Sequence, residues 1–229
     1  MEKCIYCSSN QCIKKGRRNK KQRYQCKSCK KYQLKEYTYT LYNKKHDKTI
    51  LSLNAESVGI SSLARHLNYS KATILRRISY LASKVKRPRL VEYGQIYEVD
   101  ELWTYVSNCR EREVKWVTYA INRRTNQVVD FVVGKRTKEN LSIIINKLKT
   151  LYPKKIITDK LSSYPSLIYP VNHDTTRYRN NKIERSNLNL RTHIKRLSRK
   201  TICYSKSENM LENCILLYFY WYNWQMKFR

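Results

Sequence analysis

Two kinds of residue in this 229-residue chain have types and spacings that could do chemistry. The first kind is thiol. Cys4-Ile5-Tyr6-Cys7 and Cys26-Lys27-Ser28-Cys29 are two Cys-x-x-Cys knuckles separated by eighteen residues. Two such turns can converge on one tetrahedral zinc ion, with thiolates about 2.3 Å from the metal. The second kind is carboxylate. Asp100, Asp159 and Glu184 lie far apart in sequence, and if the fold gathers them their mutual repulsion calls for divalent counter-ions. Two metals about 3.5–4 Å apart can activate an attacking oxygen and stabilise the leaving oxygen of a phosphodiester. Near the first acid, Glu98 shares a strand face with Asp100 and Glu101 takes the other. Spacing alone leaves Glu98 and Asp100 both open.

The third acid opens a helical pattern, Ile183-Glu184-Arg185-Ser186-Asn187-Leu188-Asn189-Leu190-Arg191-Thr192-His193-Ile194-Lys195-Arg196-Leu197. Ile183, Leu190, Ile194 and Leu197 share an apolar face, and Glu184, Asn187, Arg191 and Lys195 share a neighbouring one. An acid followed by two bases suits a helix that holds a metal and the phosphates around it. The plainer alternative is an amphipathic helix with Glu184 as a first-turn acid that favours the dipole. The other two acids need strands. Residues 95–106, 114–122 and 127–133 read as three β-segments, with Asn122 to Asn126 the turn between the last two. Thr137 can cap a helix with Leu141, Ile144, Ile145, Leu148 and Leu151 in a stripe. Pro153 ends it before a buried parallel strand over 155–158 that runs into Asp159. Three antiparallel strands joined through a helix to a parallel one make a ribonuclease-H-like α/β arrangement, a mixed sheet with flanking helices. His173, between the second and third acids, reads as a partly buried histidine at a strand end.

The first ninety residues have a different pattern. Residues 1–42 form a zinc-ribbon-like module with a basic run over 14–23, and Cys12 is left over as a free thiol. So small a module has too little apolar surface to fold alone, and the metal supplies much of its stability. Residues 43–87 read as a helix-turn-helix. Gly59 closes its first helix, Asn68-Tyr69-Ser70 is a turn, and Ser70 caps a third helix with Ile74, Ile78, Leu81 and Val85 inside. Lys71, Thr73, Arg76 and Arg77 are then left to face the DNA major groove. Residues 88–94 are a linker, 95–206 the catalytic domain and 207–229 an aromatic C-terminal helix that packs on the sheet or on a partner subunit.

Composition names the partner class. There are 48 Lys plus Arg against 17 Asp plus Glu, a formal charge of 48 − 17 = +31, with 12% aromatic residues. A folded chain this basic binds nucleic acid. The N-terminal residues carry no apolar signal segment, and the longest apolar run, 215–222, is too short to span a bilayer. The expectation is a soluble, cytoplasmic, nucleoid-associated protein with no membrane partner.

The chain resembles the transposases of the insertion-sequence-one family. The resemblance rests on Tyr37-Thr38-Tyr39-Thr40, Glu98-Val99-Asp100-Glu101-Leu102-Trp103-Thr104-Tyr105-Val106, Thr158-Asp159, and Arg185-Ser186-Asn187-Leu188-Asn189-Leu190-Arg191 after Ile183-Glu184, and it continues through Lys200 and Ser205-Lys206-Ser207. It implies Asp100, Asp159 and Glu184 as catalytic acids on two Mg²⁺ ions, with twenty-four residues between the last two. Arg191, seven residues beyond Glu184, and Lys195 are then candidate phosphate contacts. The implied activity is metal-dependent cleavage and transfer of DNA strands, on double-stranded element ends and target, by at least a dimer on paired ends. It also implies that the first ninety or so residues could act alone as an end-binding repressor. Lys160-Leu161 departs from the Gly-Trp that relatives carry after the second acid. The rival reading is a catalytically inactive DNA-binding regulator on the same scaffold; a ribonuclease is disfavoured by two modules devoted to DNA.

If zinc holds the N-terminal module, a chelator should abolish the dispersed NMR signals of residues 1–42 while those of the catalytic half persist. A module that keeps its fold with no metal bound would refute the assignment.

Overall fold

The computed structural model describes residues 3–35, 46–85, 87, 92–107, 111–176 and 179–226. The Tyr37-Thr38-Tyr39-Thr40 motif and linker positions 88–91 lie outside the described residues. The chain divides into two compact units, Met1–Asn43 and Lys44–Arg229.

In the first unit, strand β1 (Cys12–Arg18) turns back through Asn19 and Lys20 into β2 (Lys21–Cys26), and β3 (Tyr32–Leu34) completes an antiparallel sheet of order β1-β2-β3. Asn19 and Lys20 both have positive φ, 47° and 63°, which suits the two-residue turn of a twisted hairpin. Among the described residues of this unit the buried hydrophobic ones are Tyr24, Cys4 and Cys26, too small a core to stabilise it by apolar burial alone. Gln33 is buried as well. Its side chain accepts from Ile5 N at 2.8 Å and donates to Lys3 O at 2.9 Å, so β3 holds the first knuckle.

The second unit begins with helices α1 (Asp47–Ala55), α2 (Ile60–His66) and α3 (Lys71–Lys84). Ser70 caps α3, its hydroxyl accepting from Thr73 N at 3.1 Å. Gly59 does not close α1. It is the extended N-cap of α2, and α1 ends earlier through Ser57 at φ 63°. A second expectation is corrected at Arg77. It does not face outward but is 4% exposed, and it donates from Nε and Nη2 to the two carboxylate oxygens of Asp47 at 2.7 and 2.6 Å. The physical reason is Asp47 at the start of α1. A bidentate guanidinium–carboxylate pair compensates the desolvation that a lone arginine there would suffer.

The sheet of this unit has order β6-β5-β4-β7-β8. Strands β4 (Ile96–Ser107), β5 (Arg112–Asn122) and β6 (Val128–Gly134) are antiparallel, and Asn122 Oδ1 braces the tight β5–β6 turn by accepting from Arg124 N at 2.8 Å. Helix α4 (Lys138–Lys149), capped by Thr137, crosses to β7 (Lys155–Ile157), which lies parallel to β4. The two-residue β8 (His173–Asp174) adds parallel to β7. Helices α5 (Asn181–His193) and α6 (Glu208–Met226) follow.

Strand alternation divides the core in two. Tyr97, Val99 and Ala120 pack with Leu141, Ile144, Ile145 and Leu148 of α4 on one face, and Leu102, Val117, Tyr119 and Phe131 pack with α5 and α6 on the other. Helix α6 is apolar on two sides. Leu211, Ile215 and Phe219 face the sheet, whereas Cys214 and Leu217 face Ile50, Leu63, Ile74 and Ile78 of the first three helices. The helices expected over 43–87 therefore share a core with the C-terminal helix, and Asn54 Nδ2 donates to Cys214 O at 3.2 Å. Among the described residues no helix is long and apolar enough to cross a membrane.

Arg77→Ala leaves Asp47 without its partner and should cost on the order of 3 kcal/mol of unfolding free energy, read by urea denaturation. An Arg77→Ala protein as stable as the parent but weaker on DNA would return Arg77 to the outer face of α3.

Candidate active site and metal centres

Strand β7 stops at Ile157, and that ending makes the site. The parallel ladder pairs Ile96 with Lys155, Tyr97 with Ile156 and Glu98 with Ile157. Continued two positions, the same register sets Asp159 beside Asp100. Because β7 no longer covers this edge of β4, side chains from both faces of β4 can reach the opening. Carboxylate oxygens of Asp100, Glu101 and Asp159 all lie within 4.8 Å of one another. Glu101 comes from the face opposite Asp100, as alternation requires, and still joins the cluster.

Each acid is held. Asp100 Oδ1 accepts from Glu101 N at 2.8 Å, and Oδ2 accepts from Asn187 Nδ2 at 2.7 Å. Glu101 Oε1 accepts from the Tyr164 hydroxyl at 2.6 Å and Oε2 from Arg136 Nη2 at 3.2 Å. The same guanidinium nitrogen is 3.7 Å from Asp159 Oδ2, and Arg136 stacks over the Trp116 ring at 4.5 Å. Asp159 Oδ1 accepts from Leu161 N at 3.0 Å. Burial, joined by the charges of Glu101 and Asp159, pushes the Asp100 carboxyl up to about 7. Burial also raises Glu101, with Asp159 adding to it. Partly buried oxygen donors gathered against their own repulsion fit a hard divalent cation.

Of Glu98 and Asp100, only Asp100 lies in the acid cluster. Glu98 is fully buried; it accepts from Arg123 Nη1 at 2.7 Å and from Ile183 N at 2.9 Å, and so anchors the start of α5. Glu184 stands outside the cluster. It is exposed on the first turn of α5, and its Oε1 accepts from Asn180 Nδ2 at 2.7 Å. The α5 side chain that reaches the acids is Asn187, one turn on. Arg191 is half-buried and donates to Leu197 O at 2.8 Å and Trp103 O at 3.3 Å, fixing the chain beyond α5 against β4. Lys195 lies past the end of α5, exposed, in a short 3₁₀ turn over Lys195–Leu197. His173 is half-buried at the start of β8, its Nε2 2.8 Å from Thr158 Oγ1, and burial lowers its pKa. On α3, Lys71 and Arg76 are exposed, and Thr73 packs its hydroxyl on Ser70 at 2.9 Å.

The four knuckle cysteines form the second centre. Cys4, Cys7, Cys26 and Cys29 bring their sulfurs within 4.8 Å of one another, with Cys4–Cys29 and Cys7–Cys26 each at 3.6 Å. That separation matches the roughly 3.8 Å edge of a tetrahedron with bonds of about 2.3 Å. The backbone N–H of Cys29 draws the Cys26 thiol down against the effect of burial. Cys12 pairs across from Cys26 in the β1–β2 ladder and stays outside the four.

A three-strand meander, extended by two parallel strands through a helix and bearing acids where β4 meets β7, defines a ribonuclease-H-like domain. Residues 95–225, more than half of the chain, match the family model for IS1 transposase. The protein belongs to the IS1 transposase family. It is 36% identical over 120 residues to the insertion element iso-IS1n protein InsB of Shigella dysenteriae, covering 52% of this chain and 90% of that relative. It is 35% identical over 118 residues to the insertion element IS1 4 protein InsB of Escherichia coli (strain K12), covering 52% and 70%. A solved structure described as a simian T-cell lymphotropic virus intasome in complex with PP2A regulatory subunit B56 gamma aligns at 12% identity with TM-score 0.34, over 74% of this chain and 64% of that one. The family match begins at residue 95, beyond the cysteine unit and the first three helices.

Asp100 gives a pH test. An aspartate in an unfolded chain titrates near 3.9, whereas this one titrates at about 7 in the fold. With the folded value raised, its contribution to stability is fully present below about pH 4 and is lost as pH rises through about 7. Without added Mg²⁺, the melting temperature of Asp100→Asn minus that of the parent should therefore grow between about pH 5 and pH 8. Parallel melting curves for the two proteins across that window would remove Asp100 from the strained cluster.

Proposed function

We propose that this transposase binds the inverted-repeat ends of an insertion element and cuts and joins DNA strands at the Asp100–Asp159 site with Mg²⁺. The observation that supports this most is the convergence of Asp100 on β4 and Asp159 just past the end of the adjacent parallel β7, in a chain of net charge +31. Asp100 and Asp159 would hold the metal. Glu184, the family's third acid, completes the ligand set by turning away from Asn180. Bound divalent ions supply an activated attacking oxygen and charge neutralisation at the leaving oxygen. The chain's own residues orient these acids. Asn187 holds Asp100, Tyr164 and Arg136 hold Glu101, and Glu98 seats the helix that carries Glu184.

Recognition is assigned to the first ninety residues, with one structural Zn²⁺ on Cys4, Cys7, Cys26 and Cys29. The exposed lysines and arginines of the β1–β2 hairpin would meet phosphates, while Lys71, Thr73 and Arg76 of α3 enter the groove. Arg191 and Lys195 lie near the DNA path in this reading, Arg191 chiefly by positioning the segment that carries Lys195. The working unit is at least a dimer on two paired ends, and it works on the nucleoid. The exposure of Glu184 favours the second reading, a DNA-binding regulator without catalysis on the same scaffold.

The two separate in one assay pair, Mg²⁺-dependent nicking and joining of an end-containing duplex beside binding of the same DNA. Asp100→Asn and Glu184→Gln should each reduce nicking to the protein-free level and leave end binding unchanged. Binding itself should weaken with salt at a log–log slope of about −0.9 per phosphate contacted. If the parent binds ends yet never cuts with Mg²⁺ or Mn²⁺, the regulator reading stands. If Glu101→Gln abolishes nicking and Glu184→Gln does not, the third ligand is Glu101.

A further inference from the structure

We infer that Tyr119 and Asn187 form a relay that fixes the carboxylate of Asp100 in the orientation that receives a divalent cation. The inference rests on the metal reading above and adds two positioning residues to it.

Asp100 and Tyr119 stand directly opposite each other in the β4–β5 ladder, so both side chains leave the sheet toward α5. Tyr119 is fully buried. Its hydroxyl is 2.9 Å from Asn187 Oδ1 and 3.3 Å from Ile183 O. A phenol has one hydrogen to give, and the carboxamide oxygen is the nearer acceptor. Accepting at Oδ1 settles which way the Asn187 amide points. Nδ2 must then face the other way, where it donates to Asp100 Oδ2 at 2.7 Å. Without the hydroxyl, the amide could turn over and set Oδ1 against the carboxylate, lone pairs to lone pairs.

The partner on the other oxygen completes the arrangement. Glu101 N donates to Asp100 Oδ1 at 2.8 Å, so each carboxylate oxygen of Asp100 spends one acceptor direction inside the protein. Each keeps a second lone pair for a cation. The relay thus sets the plane of the carboxylate without filling it, as outer hydrogen bonds do for metal-binding carboxylates.

The placement of α5 makes the contact dependable. Ile183 N donates to Glu98 Oε2 at 2.9 Å, two residues before Asp100 on the strand and four before Asn187 on the helix. Four helical residues advance about 6 Å and two strand residues about 6.6 Å. Helix and strand therefore run in step between the two contacts, and the buried Glu98 anchor delivers Asn187 to Asp100.

The test is Mn²⁺ titration of the full-length, zinc-loaded protein, with free Mn²⁺ counted by electron paramagnetic resonance and no DNA present. Tyr119→Phe and Asn187→Leu should each weaken Mn²⁺ binding about tenfold. The double variant should also be about tenfold weaker and not a hundredfold, because both changes break one chain of contacts. Asn187→Ser, too short to touch either partner, replaces Asn187→Leu if that variant does not fold. Binding as tight as the parent's in Tyr119→Phe, or multiplied losses in the double variant, would overturn the relay. Asp100→Asn separates the two ideas. If it binds Mn²⁺ like the parent, the metal reading itself fails. If it loses Mn²⁺ while the Tyr119 and Asn187 variants bind normally, the relay alone fails.

Discussion

The structure depends on a sheet edge that stops short. Strand β7 pairs with β4 for three residues and then leaves it, so Asp100 and Glu101 open onto the place where Asp159 emerges. A longer β7 would cover that edge and keep the two faces of β4 apart. The cost of the short strand is electrostatic. Three carboxylates share a partly buried corner, and each must be restrained because each is repelled by the others. Among the described residues Arg136 is the one base that reaches two of them, and its guanidinium lies over the Trp116 ring. A chain with a charge of +31 does not relieve such a corner by its average field, because repulsion at a few ångströms answers only to charges equally near.

The second constraint is where α5 sits. Its first turn is anchored to a buried strand carboxylate, Glu98, and its second turn to Asp100 through Asn187. Burying Glu98 is tolerable because Arg123 and the helix-start N–H of Ile183 both answer its charge. Behind α5, helix α6 fills the space between the sheet and the first three helices. It has apolar residues on two sides because it has two cores to serve. Arg87 adds a polar tie, donating to Asp130, Phe131 O and Glu212 just beyond α3. The helices that follow the cysteine unit are thereby held to the same body as the acids.

What could be read from the residues alone was whatever depends on neighbours in sequence. The cysteine knuckles, the caps at Ser70 and Thr137, the Asn122 turn and the apolar stripe of α4 are local patterns, and the structure has them where they were expected. Asp100 and Asp159 were reachable because a strand–helix–strand crossover forces its two strands parallel and adjacent. Arg77 was misplaced because the spacing of α3 reports which face a residue takes but not that Asp47, thirty residues earlier, waits beneath it. Glu101 was set on the far face correctly, yet the short β7 that lets both faces meet has no signature in composition. Tyr119 carried no signal at all, since its role appears only in the ladder register that sets it opposite Asp100. Glu184 marks the opposite limit. Its position on α5 follows from the pattern, but the direction of an exposed side chain does not.

The ion pairs show how so basic a chain presents its charge. In the second unit the acids pair internally: Asp47 with Arg77, Asp130 with Arg87 and Lys147, Glu98 with Arg123, Asp174 with Arg179, and Glu113 and Glu208 with Lys115. With 48 Lys plus Arg against 17 Asp plus Glu, such pairs leave basic side chains in large excess. The outer field is then more uniformly positive than the composition alone requires. Such a field draws a polyanion from a distance and holds it without reading its sequence. Negative charge is also gathered at Asp100, Glu101 and Asp159, where Arg136 pairs with Glu101 and stands beside Asp159. A phosphodiester brought to that corner would be repelled by its carboxylates, and a cation between the two would remove the repulsion.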